Sequence, residues 1–456
     1  MSSRRVKRRG SECVPDEQGG STTLKKTRNK GFASVAAALV LAGTFFAAGP
    51  ASATGAKTTL TLWQNYGTEQ NAVATNNLVK AFEKANPNIT IKVVAQPAAN
   101  YFALLQAASI SGNGPDLAVM WTGLYDLQYQ SFLTNLKGNV PAADLAKMGG
   151  LQWESPNFNA SQGPLVMPLE TQFYIGFYNK KLFAKAGITT VPTTWSQLTA
   201  DSKKLKAIGV TPIVYGNGGQ ALGAEFYPWY DASYLMIGAH SVADWKGLYD
   251  GSIPWTSPSN VAQFKAWASL QTSGFTNKDV LTKTNNIQDF EQGKAAMMVD
   301  GTWDTQQYTK AMGSNVAAFV PPFSNTPIHG VVEYPGDGFS VMKYSKNKSA
   351  AFKFIDFLTT AAAGKIINAA GLIPDINGMA TSNPVNQQML NFVTKQHMTP
   401  YPMLDNVTQV NVVNAGSKVL PAVLANQQSA LSALQNMQQT WQQLPASQRS
   451  PKNYAG

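Results

Sequence analysis

Trp303 is the side chain whose position raises a chemical question. It lies near the end of the stretch GKAAMMVDGTWD, residues 293–304, in which the small and apolar residues 295–299 predict a buried strand. Asp300 and Gly301 then form a tight turn, and the indole follows at once. A large, flat, amphipathic ring at the end of a buried strand either packs into the core or faces a ligand. The stretch alone supports both interpretations.

Metal, thiol and phosphate chemistry find little support in the sequence. None of the three histidines has metal-ligand spacing, and the single cysteine, Cys13, lies near the N-terminus. The Gly-rich stretch after TPIVY lacks the lysine of a phosphate-binding loop. Arg449 is the only arginine in residues 54–456, although arginine is the preferred side chain for phosphate and for guanine edges. We therefore expect no metal site, no cofactor and no nucleic-acid partner.

The N-terminal 53 residues read as an export signal with an extension before it. A basic segment, residues 24–30, precedes a continuously apolar run at 31–49, and Ala51-Ser52-Ala53 is a small-x-small cleavage pattern. The acidic residues before position 24 do not suit a signal peptide, so translation is expected to start downstream of Met1. We expect residues 1–53 to be removed and the remainder to act outside the cytoplasm.

The chain after residue 53 predicts alternating strands and helices. The stretch TTLTLW predicts a strand, residues 71–86 a helix, NPNITIKVV a second strand, residues 101–110 a second helix, and GNGPDLAVMW a third, buried strand. This order favours a mainly parallel sheet, in which ligands bind at the carboxyl ends of the strands. The candidate site residues at these ends are Asn65, Tyr66, Trp121 and Thr122.

The order of motifs resembles the extracellular solute-binding proteins of ABC importers, specifically the large sugar-binding branch that includes maltose-binding proteins. The matching stretches are LVKAFEKANPNITIKV, GNGPDLAVMW, FYNKKLFAKAGI with VPTTWSQL, FEQGKAAMMVDGTW, GDGFSVMKYSKNKSAAFKFIDFL and GLIPDINGM. They occur in family order from about residue 58 to the C-terminus. Each motif alone is weak, but six in order are specific.

This resemblance implies two α/β lobes, each with a mainly parallel sheet flanked by helices, joined by a hinge that closes on a ligand; periplasmic binding proteins are a standard hinge-closure example. Two Pro-bounded stretches, GPLVMP and VAAFVPP, predict crossings between the lobes. We expect residues 58–168 plus 325–371 to form the N-terminal lobe. Residues 169–324 plus 372–456 should form the C-terminal lobe.

The family role implied for Trp303 is stacking on a sugar ring in the cleft. Glu170 and Gln172 lie where the family often places a carboxylate or amide that faces the ligand, and the sequence leaves open which of them does so. Two aromatic candidates, Tyr227 and Trp229, follow the Gly-rich loop and compete with core packing. Asp337 lies in a Gly-Asp-Gly turn that is also ordinary turn chemistry.

The predicted function is capture of a neutral sugar or oligosaccharide and its delivery, by a monomer, to the permease subunits of an ABC importer. Thr44 stands where lipoprotein relatives carry the lipid-bearing cysteine, so no lipid anchor is expected. The alternative is a secreted glycoside hydrolase, which would need two carboxylates across the scissile bond, with Glu170 and Asp337 as candidates. Only 22 Asp and Glu residues occur in 54–456, which predicts tolerance of acid.

Overall fold

The computed structural model describes residues 57–67, 69–216 and 227–449. The expected signal peptide and the Gly-rich loop lie outside these ranges. The strands, in chain order, are β1 (Thr58–Gln64), β2 (Ile89–Ala95), β3 (Leu117–Met120), β4 (Met167–Pro168), β5 (Thr171–Asn179), β6 (Thr211–Ile213), β7 (Ala295–Gly301), β8 (Val316–Phe319), β9 (Gly330–Pro335), β10 (Gly338–Val341) and β11 (Thr399–Tyr401).

Helices flank the strands along the described chain. They are α1 (Gln70–Ala85), α2 (Tyr101–Ser111), α3 (Leu124–Gln128), α4 (Ala142–Leu145), α5 (Lys180–Lys185), α6 (Trp195–Ala207), α7 (Tyr227–Ala239), α8 (Trp245–Asp250), α9 (Pro258–Thr272), α10 (Asn286–Glu291), α11 (Thr305–Met312), α12 (Lys348–Phe357), α13 (Ala361–Ala369), α14 (Pro384–Thr394), α15 (Leu404–Val407), α16 (Val410–Leu424) and α17 (Ala430–Gln443). Within the described ranges, none is long and apolar enough to cross a membrane.

The first sheet has the order β2-β1-β3-β10-β4. Its strands β1, β2 and β3 are parallel, as the alternation with α1 and α2 predicts, while β10 is antiparallel to both of its neighbours. Helix α1 covers this sheet with the face expected from its periodicity, on which Leu78, Val79 and Phe82 are buried. The Phe82 ring meets the ring of Phe354 on α12 edge-on, with ring centroids 5.3 Å apart.

The second sheet is mixed, which corrects the expectation of a mainly parallel sheet in each lobe. Its order is β11-β9-β5-β7-β6, and β8 also pairs with β5. The central strand β5 is antiparallel to β7, β8 and β9. The chain enters β5 directly from the first sheet instead of through a helical crossover, so the argument for parallel pairing does not apply to this strand. The two-lobed α/β architecture itself is confirmed.

Strand β9 was predicted in the first lobe but lies in the second. Strand β9 pairs with β5 and β11 in the second sheet, whereas the sequence analysis placed all of 325–371 in the first lobe. The chain therefore returns to the first sheet at residues 336–337, between β9 and β10, and not at the earlier Pro-Pro pair. A third crossing follows, because Leu372 packs in the first core and Ile373 in the second.

The second core is built around fully buried indoles. Trp229 lies on α7, Trp255 lies just before α9, and Trp267 lies on α9; each is at most 1% exposed. Asp231 is also fully buried there, and its Oδ2 accepts hydrogen bonds from the Tyr215 hydroxyl at 2.5 Å and the Trp267 indole nitrogen at 2.7 Å. Burial raises the pKa of Asp231 to about 7, against the opposing effect of these two bonds.

Because buried carboxyls such as Asp231 have raised pKa values, we expect the protein to be more stable in mild acid than at alkaline pH. The pKa of Asp375 is likewise raised to about 7, mainly by burial. A carboxyl with a raised folded-state pKa contributes stability that is complete below its unfolded pKa and is lost as the pH rises through the folded value. The loss therefore falls between roughly pH 4 and pH 7. We expect circular dichroism melts to show a midpoint about 5 °C higher at about pH 5 than at about pH 8.

Asp231→Asn is the control for this prediction. The amide is neutral at every pH and keeps an acceptor oxygen for Tyr215 and Trp267, so the variant should show a smaller difference between the two pH values. A higher midpoint at about pH 8 in the unmodified chain would contradict the assignment.

Candidate functional site

A pocket opens between the two lobes at the carboxyl ends of β1 and β3. Its cavity volume is about 80 Å³. The first lobe contributes residues between β1 and the start of α1 and the residue that follows β3. The second lobe contributes residues from β5, α7, the turn after β7 and the region of α15. The lining residues are Glu69, Asn71, Trp121, Gln172, Tyr174, Tyr230, Trp303, Asp337, Met403, Asp405 and Asn406.

Trp303 and two tyrosines form the aromatic wall on the second lobe. Strand β7 is buried along its whole length, and the half-buried indole is the second residue after its end. The ring of Trp303 lies 5.6 Å from Tyr174 and 5.8 Å from Tyr230, centroid to centroid, at steep interplanar angles. These edge-type contacts fix the orientation of the indole, and the ring lines the pocket.

Gly301 provides the space that the indole needs. A Cβ atom added at position 301 would lie 2.1–2.2 Å from atoms of the Trp303 ring. The backbone φ of Gly301 is −106°, a value open to any residue, so the requirement is one of space and not of conformation. The Gly-Thr-Trp order thus lets the side chain fold back over the end of its own strand.

Trp121 provides an aromatic surface on the first lobe. It follows β3 directly and packs edge-on against Phe102 and Tyr125, with centroid distances of 4.9 Å to each. The pocket therefore has an indole from each lobe. Such walls suit a ligand that has both apolar C–H faces and polar edges.

Glu170 and Gln172 have different positions relative to the pocket. Gln172 lines it, whereas Glu170 is fully buried behind it. The Glu170 Oε1 atom accepts hydrogen bonds from Asn71 Nδ2 at 2.5 Å and from Gln172 Nε2 at 3.0 Å. Burial raises the pKa of Glu170 to about 7, and the two bonds oppose that shift. Glu170 therefore holds two lining amides in place.

Other predicted residues lie beside the pocket. Asn65 and Tyr66 are each 2% exposed and do not line it. The Thr122 hydroxyl donates a hydrogen bond to the Gly336 carbonyl oxygen at 2.9 Å, which ties β3 to the second crossing. Asp337, at that crossing, lines the pocket. Trp121, Gln172, Trp303 and Asp337 are thus the predicted residues that the fold brings to one pocket.

Trp229 is core, which corrects its selection as a site residue. It is fully buried, packs near Trp255, and faces Gly416 of α16, where an added Cβ would lie 2.3 Å from the Trp229 ring. The next residue, Tyr230, lines the pocket instead. Successive helical residues point about 100° apart, so one position separates core from pocket. The Tyr227 side chain lies outside the described part of the chain.

Sequence reasoning missed seven lining residues. Glu69 and Asn71 follow the end of β1, where the rule that selected Asn65 and Tyr66 needed only to be extended by one turn. The other five had no motif to mark them. Three of these lie on or just before α15, which is only four residues long and is brought to the pocket by packing. These others are Tyr174, Tyr230, Met403, Asp405 and Asn406.

Three carboxyls line the pocket without a cationic partner. Within the described ranges, no basic nitrogen lies within 4.0 Å of Glu69, Asp337 or Asp405. Burial, followed by the charges of Asp304 and Glu170, raises the pKa of Glu69 to about 8. Burial raises the pKa of Asp405 to about 6 and raises that of Asp337 well above its ordinary value.

The arrangement suits binding better than hydrolysis. Glu170, one of the two carboxylates considered for glycoside hydrolysis, does not line the pocket and accepts two amide hydrogen bonds. In the described part of the chain no group of three or more His, Cys, Asp or Glu residues could hold a metal ion. Two sheets joined by crossings, with a pocket between them, define a two-lobed solute-binding protein.

Comparison with known proteins agrees with this class. Residues 32–365 match the family model of bacterial extracellular solute-binding proteins, and the chain therefore belongs to that family. A binding protein of Brucella abortus is 28% identical over 61% of this chain and 66% of its own length, so the match spans slightly less than two thirds of that relative. The maltodextrin-binding protein MdxE of Bacillus subtilis is 24% identical over 86% of this chain and 91% of its own.

Solved structures show the same fold. A chitin oligosaccharide binding protein superposes with a TM-score of 0.74 at 23% identity, covering 84% of this chain and 98% of that one. The relatives named here are binding proteins, and nothing in the comparisons supports the hydrolase alternative. The resemblance noted in the sequence is confirmed at the level of family and fold.

The placement of the two neighbouring aromatic side chains can be tested without a ligand. Trp229→Ala should lower the free energy of unfolding by about 3–5 kcal/mol, the usual cost of deleting a fully buried large aromatic side chain. Trp303→Ala should cost less than about 2 kcal/mol because half-buried rings leave smaller cavities. Denaturant unfolding followed by circular dichroism measures both. Equal losses would contradict the separation of core from pocket.

Proposed function

We propose that the chain captures a sugar or oligosaccharide in the pocket between the lobes and delivers it to the permease of an ABC importer. The observation that carries this proposal is the pair of indoles, Trp121 and Trp303, which line one pocket from opposite lobes. A pyranose has a face of C–H groups, and an aromatic face offers apolar area with little rotamer entropy to lose. The amides and carboxyls around the rings can bind its hydroxyl edges.

Further parts of the proposal concern location and partners. The family is extracellular, and Thr44 in place of a lipid-bearing cysteine supports release without an anchor. The scarcity of arginine in residues 54–456 supports a ligand that is not anionic and a protein that does not bind nucleic acid. We infer that it acts as a monomer, that it meets the permease subunits with its ligand bound, and that it has no catalytic role.

The first prediction from this proposal concerns the indole wall. A panel of mono- and oligosaccharides, screened by thermal shift, should contain ligands that raise the melting midpoint. For such a sugar, Trp303→Ala should weaken binding by about 1–3 kcal/mol in titration calorimetry, the scale of a buried aromatic anchor. Gly301→Ala should also weaken it, because the added methyl group displaces the same ring.

The matched control is Trp195→Ala. Trp195 is also half-buried, packs against Phe323 with centroids 6.1 Å apart, and does not line the pocket. It should leave sugar affinity unchanged. Unchanged affinity in the Trp303 and Gly301 variants would remove the indole from the site, and a panel with no stabilising sugar would reject the proposed function.

The second prediction concerns hinge closure. A cavity of about 80 Å³ is smaller than ordinary ligand pockets, so the lobes must separate to admit a sugar. Trp153, from the segment expected in the first lobe, packs 5.3 Å from Tyr334 and 5.4 Å from Trp245 of the second core, so rotation of the lobes is expected to alter this contact. Small-angle X-ray scattering should give a smaller radius of gyration with saturating sugar than without it. Superimposable curves would argue against a hinge.

A further inference from the structure

The polar lining of the pocket offers mostly hydrogen-bond acceptors. Asn71 Nδ2 and Gln172 Nε2 each already donate to Glu170, and the Tyr174 hydroxyl donates to Asp405 Oδ2 at 2.9 Å. The remaining polar atoms on the wall are mainly carboxyl and amide oxygens. A ligand that fits this wall must bring donors, and an ammonium group supplies three N–H donors and no acceptor.

Two oxygens at the pocket have no hydrogen-bond partner in the described part of the chain. Asn71 is 1% exposed and lines the pocket, yet its Oδ1 accepts nothing. The same holds for Asp405 Oδ1. Buried acceptors are normally satisfied, and an exception at a pocket wall points to a ligand group. This observation is independent of the charge at the site.

The charge of the pocket has one sign. Glu69, Asp337 and Asp405 line it, Glu170 lies behind it, and no basic nitrogen of the described ranges lies within 4.0 Å of any of them. The charged groups that raise the pKa of Glu69 and of Asp337 are all other carboxyls, namely Asp304, Glu170, Glu69 and Asp405. Each of the three lining carboxyls is half-buried, and a cationic partner for them would come from a ligand.

We propose that the bound solute is a sugar that carries a protonated amine, with the ammonium seated among Glu69, Asp337 and the free Asn71 Oδ1 and the sugar ring against Trp303. This inference rests on the proposed sugar-binding function and narrows its substrate class. The sequence favoured a neutral sugar because arginine is scarce in residues 54–456, but that scarcity argues against anions only. An ammonium near Trp121 and Trp303 also gains from the negative faces of the rings.

The raised pKa values of the lining carboxyls agree with this proposal. Each reflects the cost of ionising a buried acid without a counter-ion, and an ammonium removes that cost. Binding should therefore ionise carboxyls that are protonated in the free protein near pH 7. Other titratable side chains beside these carboxyls include Tyr66, Tyr174, Tyr230, Glu170, Asp300 and Asp304. The lysines of α1, Lys80 and Lys84, are exposed and form no ion pair with the lining carboxyls.

The test compares sugars that differ at one substituent. Glucosamine, glucose and N-acetylglucosamine form one set, galactosamine, galactose and N-acetylgalactosamine another, and chitosan, cello- and chitin disaccharides a third. Titration calorimetry near pH 7 should show, in at least one set, an amine that binds at least tenfold more tightly than both neutral members. In two buffers of different ionisation enthalpy, its binding should release protons.

Variants separate this selectivity from sugar binding itself. Glu69→Gln and Asp337→Asn should each lower the affinity for the amine at least tenfold more than they lower the affinity for the neutral sugar of the same set. Asp144→Asn, which removes a carboxyl whose partner Lys147 lies on the surface, should change neither. Melting curves show whether each variant folds, and the proton count is obtained on the unmodified chain.

The outcomes distinguish the two proposals. Neutral sugars that bind as tightly as their amines, or amine binding without proton release, would overturn the inference and leave the proposed function intact. A chain that binds no sugar of any set, nor any in the wider thermal-shift panel, would lose both.

Discussion

The buried carboxyl group of Glu170 lies where the three connections between the lobes meet. Its backbone carbonyl accepts a hydrogen bond from Gly336 N at 2.5 Å in the second crossing, and its backbone forms a β-bridge with Pro374 in the third. Its side chain binds Asn71 of the first lobe and Gln172 of the second. One residue thus connects all three crossings with two lining amides of the pocket.

This position also explains why the sequence left Glu170 and Gln172 unresolved. Both lie in PLETQF, two residues apart, and alternate residues of a strand share a face. Glu170 precedes β5 and is drawn into the crossing, whereas Gln172 lies within the strand and lines the pocket. The third crossing lies next to the lobe boundary at 371/372 that the resemblance implied, although GLIPDINGM itself contains no feature that marks a change of lobe.

Local patterns predicted what local geometry controls. Strand β7 and the position of Trp303 after it follow from the small residues and the spacing. The predicted turn at Asp300 and Gly301 was wrong, because both residues belong to β7 and the chain turns at 302–304 instead. Helix phase in a stretch of consecutive aromatic residues is different, because YPWYD supplies no polar face to orient α7, and Trp229 was selected where Tyr230 lines the pocket. Asp405 and Asn406 depend on how α15 packs on the body, a long-range property that no nearby residue encodes. The same holds for β9, since a Pro-Pro pair marked a crossing that the chain makes only after one more strand.

The scarcity of basic groups near carboxyls connects the stability of the fold with the chemistry of the pocket. More than half of the carboxyl groups in the described residues have raised pKa values, with burial as the largest cause. Asp126 and Glu154 are fully buried beside each other, and two carboxyls in such contact cannot both ionise without large cost. In the core these acids act as neutral hydrogen-bonding groups, and their protonation stabilises the fold.

At the pocket wall the same burial creates a site in which proton and ammonium compete for the same oxygens. A pH low enough to protonate the carboxyls favours the fold but opposes a cationic ligand. The affinity for an amine should therefore rise as the pH rises through the raised pKa values of the lining carboxyls.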